Sequence, residues 1–287
     1  MSPAAPYASV MARRMTDPEF HRAQMNGTYD ARVRDVNEFC DVLICEKRDD
    51  IGEGPHVAPH YNAAHASILA LSSNPGPMAG GQAGSGFLSH ENDDGSAERM
   101  NRLFKDVGLS DEDVMPWNAY PWQVHDDFPN GLVAAHIDEG IVVLRRLLEI
   151  APKVRVVVAH GGDATWCMRK FRRAYADFFD ERKLVVIETR HTSNRAFILP
   201  PEKRLEAEES IRESYREAMR LVGLEPAAYT RAIEPDASPI ERAIAALEKA
   251  RNSGAAPVAA ARGYVGSLTT PSLQKLAADL LVATIDT

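Results

Sequence analysis

Between about residues 60 and 200, two kinds of hydrophobic pattern take turns along the chain. Short continuous apolar runs read as buried strands: Ala66–Ser73 (ASILALSS), Asp113–Tyr120 (DVMPWNAY), Val154–His160 (VRVVVAH) and Lys183–His191 (KLVVIETRH). Between them lie segments with helical spacing. Ala97–Leu109 carries Met100, Leu103, Phe104 and Val107 on one stripe, and Leu132–Ile150 carries Ile137, Ile141, Leu144 and Leu148. Ala164–Phe179 reads as a third helix. Strand and helix in alternation predict an α/β fold with a central four-stranded parallel sheet between two helical layers, α/β/α. Strands without polar alternation suit a sheet covered on both faces.

The flanks read differently. Residues 1–59 are irregular, with one helical pattern near Tyr29–Cys45. Residues 201–287 read as a helical C-terminal extension packed on the core. It holds one charged amphipathic helix (RLEAEESIRESYREAMRLVGL), a second (SPIERAIAALEKARNSG) capped by Ser238, and small-residue loop material. That extension is also a candidate surface for a protein partner.

Four segments fall at the carboxyl ends of the expected strands: SSNPGP, WNAYPW, AHGGDA and RHTSNRAF. In open α/β sheets ligands bind there. The first continues as Leu69–Phe87, LALSSNPGPMAGGQAGSGF, where two prolines and repeated glycines rule out a helix. It reads as a loop shaped for something to approach its backbone. Together the four ends offer the amides of Asn74 and Asn118, the imidazole of His191, the ring of Phe87 and several glycines. No paired carboxylates, nucleophile elbow or phosphate-cradling P-loop accompanies them. The set suits a flat neutral heterocycle: a ring stacks on its face, an amide reads its edge, and a histidine donates to an oxygen that becomes negative as a bond breaks.

Composition narrows this picture. The 287 residues carry a net charge of −8, which argues against a protein coated in positive charge for nucleic acid. Yet Lys153–Arg204 holds twelve Lys/Arg against six Asp/Glu. Its run Arg169, Lys170, Arg172 and Arg173 fits either a solvated helix face or contact with phosphates. Three cysteines, Cys40, Cys45 and Cys167, make no disulfide framework and suit reduced thiols and a cytoplasmic setting. The amino terminus lacks the apolar core of a signal peptide, and no apolar run nears the ~20 residues that span a bilayer, so no membrane association is expected. No metal or cofactor is expected: His56 and His60 form only a loop pair, and HENDDG (90–95) reads as a solvated loop.

The strand-end residues resemble the uracil-DNA glycosylase superfamily, most closely its single-strand-selective monofunctional branch. That branch's first motif runs Gly-Met-Asn-Pro-Gly-Pro, followed by Gln, Gly and Phe eight, ten and thirteen residues after the Asn. Here Asn74-Pro75-Gly76-Pro77 is followed by Gln82, Gly84 and Phe87 at those offsets. Asn118 matches the Asn after the second strand, Gly161-Gly162 the phosphate-touching loop, and His191-Thr192-Ser193 the His-Pro-Ser loop, with Arg195 four residues after the His. Ser72-Ser73 and Thr192 depart from the pattern, the latter suggesting a less rigid loop. The acidic residue that activates water in the most common branch is replaced by Asn74.

The resemblance implies a monofunctional DNA glycosylase that hydrolyses the N-glycosidic bond of uracil or a 5-substituted uracil, and the chain is expected to be a monomer. Asn74 would position the water and His191 would stabilise charge on the base oxygen. Phe87 would stack on the flipped base and Asn118 would read its edge. Gly76, followed by Pro77, would leave room at ring carbon 5, where a thymine-excluding branch has a tyrosine. Gly161, Gly162, Ser193 and Arg195 would meet DNA. Taken singly, each residue also has a structural reading: Asn74 as a turn residue, Phe87 as core, Asn118 as a buried amide, His191 and Arg195 as surface groups. A catalytically silent member binding DNA or protein, or an enzyme for a bulkier modified pyrimidine or a free nucleoside, stands as the alternative.

Overall fold

The computed structural model describes residues 12–47, 55–80, 84–124 and 131–227. The chain divides into two units, Met1–Pro226 and Ala227–Thr287, and every element named below lies in the first. The second C-terminal helix with its Ser238 cap, and Gln82 of the glycine loop, fall outside the described residues.

Four parallel strands build the main sheet: β2 (Ile68–Ser72), β4 (Val114–Asn118), β5 (Val156–His160) and β6 (Val185–Thr189), in the spatial order β4-β2-β5-β6. The expected strands are all present, trimmed by a few residues. β2 pairs with β4 through Ser72 opposite Asn118, and with β5 through Leu71 opposite Ala159. Every residue of β5 is buried, as a central strand with helices on both faces requires. α4 (Ala134–Ile150) and α5 (Gly161–Ala174) pack together, with α5 against β2, β5 and β6; α3 (Gly95–Val107) packs on α7 (Pro201–Leu221), which lies against β5 and β6. Because β4 crosses back over β2 to reach β5, the chain reverses direction around β2, and a crevice opens at its carboxyl end.

Some expectations change. The helix expected over 164–179 starts at Gly161 and breaks at Tyr175, whose φ of −128° is not helical, before α6 (Ala176–Glu181). Residues 12–47 and 55–59 are more ordered than the pattern suggested. Asp17 caps α1 (Pro18–Asn26) by accepting from the Glu19 N–H, with Pro18 opening the helix. α2 (Arg34–Glu46) sends buried Asn37 to β1 (His56–Val57), its amide donating to the Val57 carbonyl and accepting from the Val57 N–H at 3.0 and 2.8 Å. β1 pairs in parallel with the two-residue β3 (Phe87–Leu88). α7 is a layer of the fold itself: its Tyr215 is fully buried and its hydroxyl donates to His160 Nε2 at 2.7 Å.

HENDDG is not a solvated loop. His90, Glu91 and Asn92 are buried, and each has a hydrogen-bond partner, Asn92 donating to the Phe87 carbonyl and accepting from Ser85 Oγ. Glu91 pairs with Arg14 at 2.9 Å and accepts from Asn101 at 2.6 Å. His90 Nδ1 accepts from the Tyr61 hydroxyl at 2.6 Å.

Burial holds His160 down at about 3, with the nearby His191 imidazole adding to the shift, and holds His90 down at about 4. Both are therefore neutral in the fold, while the unfolded chain takes up a proton near 6.5. The folded state binds fewer protons between those values. Its stability is complete above pH 6.5 and drains as pH falls toward 4, by about 1.4 kcal/mol per pH unit for each histidine. Thermal melts from pH 7 to pH 4 are expected to show a steady fall in Tm. A flat profile would mean that one or both rings are protonated in the fold.

Candidate active site

A cavity of about 570 Å³ opens at the carboxyl ends of β2, β4 and β5. Such a volume accommodates a small ligand with room to spare. The structure brings Asn74, Gly76, Pro77, Asn118, His191, Ser193 and Arg195 to its wall. Asn74 sits half-buried where β2 ends, and Pro75 turns the chain outward; the Asn74 amide donates to the Pro75 carbonyl at 3.2 Å. Among the described residues, a Cβ built on Gly76 meets no heavy atom within 4 Å, so the space beside it is open.

Asn118, the last residue of β4, is 4% exposed, and among the described residues its Oδ1 has no hydrogen-bond partner. A buried unpaired carbonyl oxygen costs about 1–3 kcal/mol. Fixed on the cavity wall, it asks for a ligand N–H.

His191 follows β6. The Ser193 backbone N–H donates to its Nδ1 at 2.9 Å, so the neutral ring carries its proton on Nε2. Burial lowers the His191 pKa and the carboxylate of Asp163 opposes that shift. The ring is thus a neutral imidazole that donates through Nε2.

Its loop is tied down despite Thr192 in place of proline. Arg99 of α3 donates to the Thr192 carbonyl and to Asn194 Oδ1, and its guanidinium lies 4.1 Å from the Phe197 ring centroid. Ser193 Oγ accepts from the Ala196 N–H, and Arg190 donates to the Ala196 carbonyl at 2.7 Å. Arg195 is exposed at the rim.

Three expected residues are not on the wall. Phe87 is 1% exposed and faces away, edge-on to His21 at 6.4 Å and near His56 at 6.5 Å. Neighbouring side chains of a strand point to opposite faces, so Leu88 lines the cavity and Phe87 enters the core. The stacking role expected of Phe87 does not fit this placement. Apolar lining comes instead from Leu88, Met100, Phe104 and Trp117.

Gly161 and Gly162 open α5 with no intervening loop. Gly161 has φ +81°, and a Cβ there would come 3.0 Å from His191 Cβ. Its bareness lets the His191 loop close on α5, which is a packing role, whereas Gly162 has open space around it. Farther along α5, Arg169 pairs with Glu188 at 2.8 Å and Lys170 with Asp138 at 2.5 Å, so these two cations form an ion-paired helix face.

Sequence reasoning missed Ser73 and Asp163, which also line the cavity. The Ser73 hydroxyl lies 2.6 Å from Asp163 Oδ2 and 3.3 Å from Asn74 Oδ1. Asp163 comes from the first turn of α5, and only the fold brings it to the end of β2.

Among the described residues, His60, His90 and Asp111 could hold a metal ion, their ligand atoms lying within 4.8 Å of one another. They also satisfy each other: His60 bonds Asp111 and Ser89, each at 2.8 Å, and His90 bonds Tyr61. Among the described residues no helix is long and apolar enough to cross a membrane.

The family model for the uracil DNA glycosylase superfamily matches residues 58–212. The chain belongs to the uracil DNA glycosylase superfamily. The match begins just after β1 and ends within α7, so it takes in the whole sheet and every residue on the cavity wall. Superfamily members are generally hydrolases, DNA glycosylases of base excision repair whose substrate is DNA. A comparison with curated proteins finds none that matches.

Proposed function

We propose that this protein is a monofunctional DNA glycosylase that removes uracil and small 5-substituted uracils. The observation that carries the reading is the buried, unpartnered Oδ1 of Asn118 on the cavity wall. Uracil presents an N–H beside a carbonyl oxygen. Asn118 accepts from that N–H and donates to that oxygen. Cytosine presents the reverse order and would leave the amide mispaired.

The base leaves the DNA stack to enter the cavity, at a cost of a few kcal/mol. As the bond from the base to sugar C1′ breaks, negative charge collects on the base. His191 Nε2–H stabilises it on the oxygen between the two ring nitrogens. A neutral donor suits this task, because protonation of Nδ1 would break its bond with Ser193. Asn74 holds the attacking water. Arg195, exposed at the rim, and Gly162, exposed at the start of α5, meet the DNA backbone.

The test uses labelled oligonucleotides carrying uracil, 5-hydroxymethyluracil or cytosine, followed by alkali. Strand breaks at the first two and none at cytosine are expected. Borohydride trapping is expected to give no adduct, since water and not a lysine attacks the sugar. Efficient cytosine excision would overturn the Asn118 assignment, and a strong borohydride adduct would overturn water attack.

Arg99 matters on this reading through the loop it holds. Arg99→Ala frees the Thr192 carbonyl and the Phe197 face. The single-turnover excision rate is expected to fall about tenfold, or ~1.4 kcal/mol in the barrier. An unchanged rate would show that Ser193 and Arg190 hold His191 without it.

A further inference from the structure

We infer that Asp163, acting through the Ser73 hydroxyl, takes the proton from the attacking water. The inference rests on the glycosylase reading and adds to it the base that Asn74 cannot be. An amide has no useful basicity, and the first motif supplies no carboxylate. The fold supplies one from another element.

Three observations converge on it. Ser73 Oγ is 2.6 Å from Asp163 Oδ2, the length of a charge-assisted O–H···O⁻ bond. The same hydroxyl is 3.3 Å from Asn74 Oδ1, so it stands between the water-positioning amide and the carboxylate. Asp163 also lines the cavity and faces His191 closely enough to act on its titration.

Neighbouring backbone keeps the carboxylate in place. The Leu132 N–H approaches Asp163 Oδ2 at 3.4 Å. Gly131, at φ +110°, brings bare backbone beside it, where a Cβ would lie 3.3 Å from Oδ2. Among the described residues, no lysine or arginine forms an ion pair with Asp163. A negative charge held this way also favours the positive charge that develops on the sugar as the base departs.

The step balances. The bond between C1′ and the base breaks, and its electron pair leaves with the base. The water oxygen bonds to C1′. Its proton passes to Ser73 Oγ as the Ser73 proton passes to Asp163 Oδ2. Asp163 then releases that proton to solvent, and the base anion takes one from solvent. The products are the neutral base and an abasic sugar.

The experiment measures single-turnover excision of uracil by wild type, Asp163→Asn, Asp163→Glu, Ser73→Ala and the double variant Asp163→Asn/Ser73→Ala, with Tm and substrate affinity measured for each. Asp163→Asn is expected to lose at least ~30-fold in rate at unchanged affinity. Asp163→Glu should recover part of that loss. The double variant should be no slower than the slower single variant, because both changes cut one relay. Should Asp163→Asn fold poorly, formate added to Asp163→Ala takes its place, and a formate-dependent gain in rate is expected. Wild-type rate in Asp163→Asn, fully additive losses, or no formate rescue would overturn the inference while leaving the glycosylase reading intact. A folded wild-type protein that releases no base from any substrate would instead defeat the reading itself.

Discussion

Asn74→Ala and His191→Ala are each expected to lower the excision rate by about 10²–10³-fold while leaving fold and DNA affinity nearly unchanged. Both side chains are only half-buried at the cavity wall, so neither holds up the core. His191 acts where charge develops, since its Nε2–H is aimed by the Ser193 N–H on Nδ1. Removing such a donor weakens the transition state and hardly touches the ground state. Asn74 acts by placing a water, so its loss also falls on the rate and not on binding. The check is a comparison of single-turnover rate with affinity for uracil-containing single strands. Equal losses in both would mean that the residues bind DNA without taking part in the reaction. Wild-type rates in both variants would move the reaction elsewhere.

The second large effect is on specificity. Gly76→Tyr is expected to cut the ratio of 5-hydroxymethyluracil to uracil excision by about tenfold or more. Among the described residues nothing lies within 4 Å of a Cβ built on Gly76, so a side chain can start there without a clash. Gly76 is exposed on the cavity rim with an ordinary backbone conformation, so the change carries no φ penalty. A ring there would crowd any substituent on carbon 5, and overpacking of that kind costs ~1–3 kcal/mol. Uracil, which carries only hydrogen at that position, would still fit. A ratio that does not move would mean that Gly76 does not face carbon 5.

Much of this was legible because it is local. β2, β4, β5 and β6 announce themselves as apolar runs. The chain then has to turn at their ends, and that places Asn74, Asn118 and His191 around one crevice. Phe87 was not legible for a reason of parity: a two-residue strand paired with β1 decides which of Phe87 and Leu88 faces the cavity, and that pairing leaves no periodic trace. HENDDG looked solvated because its partners are far away, with Glu91 depending on Arg14 and Asn101. Asp163 was hidden in the same way. Ninety residues separate it from Ser73, and the contact exists only because α5 starts directly where β5 ends, beside β2. Arg99 shows the reverse case. The missing loop proline suggested a slack loop, while a side chain from α3 supplies the restraint.

One chemical event is central to the proposed activity, the release of a free base from DNA. The most direct measurement incubates purified protein with a single-stranded oligonucleotide carrying one uracil and quantifies the free base and the alkali-sensitive sites side by side. Free uracil and abasic sites in equal amounts, with none from a cytosine control and almost none from His191→Ala, are the predicted result. A folded protein that binds the strand yet releases no base from uracil or 5-hydroxymethyluracil would contradict it.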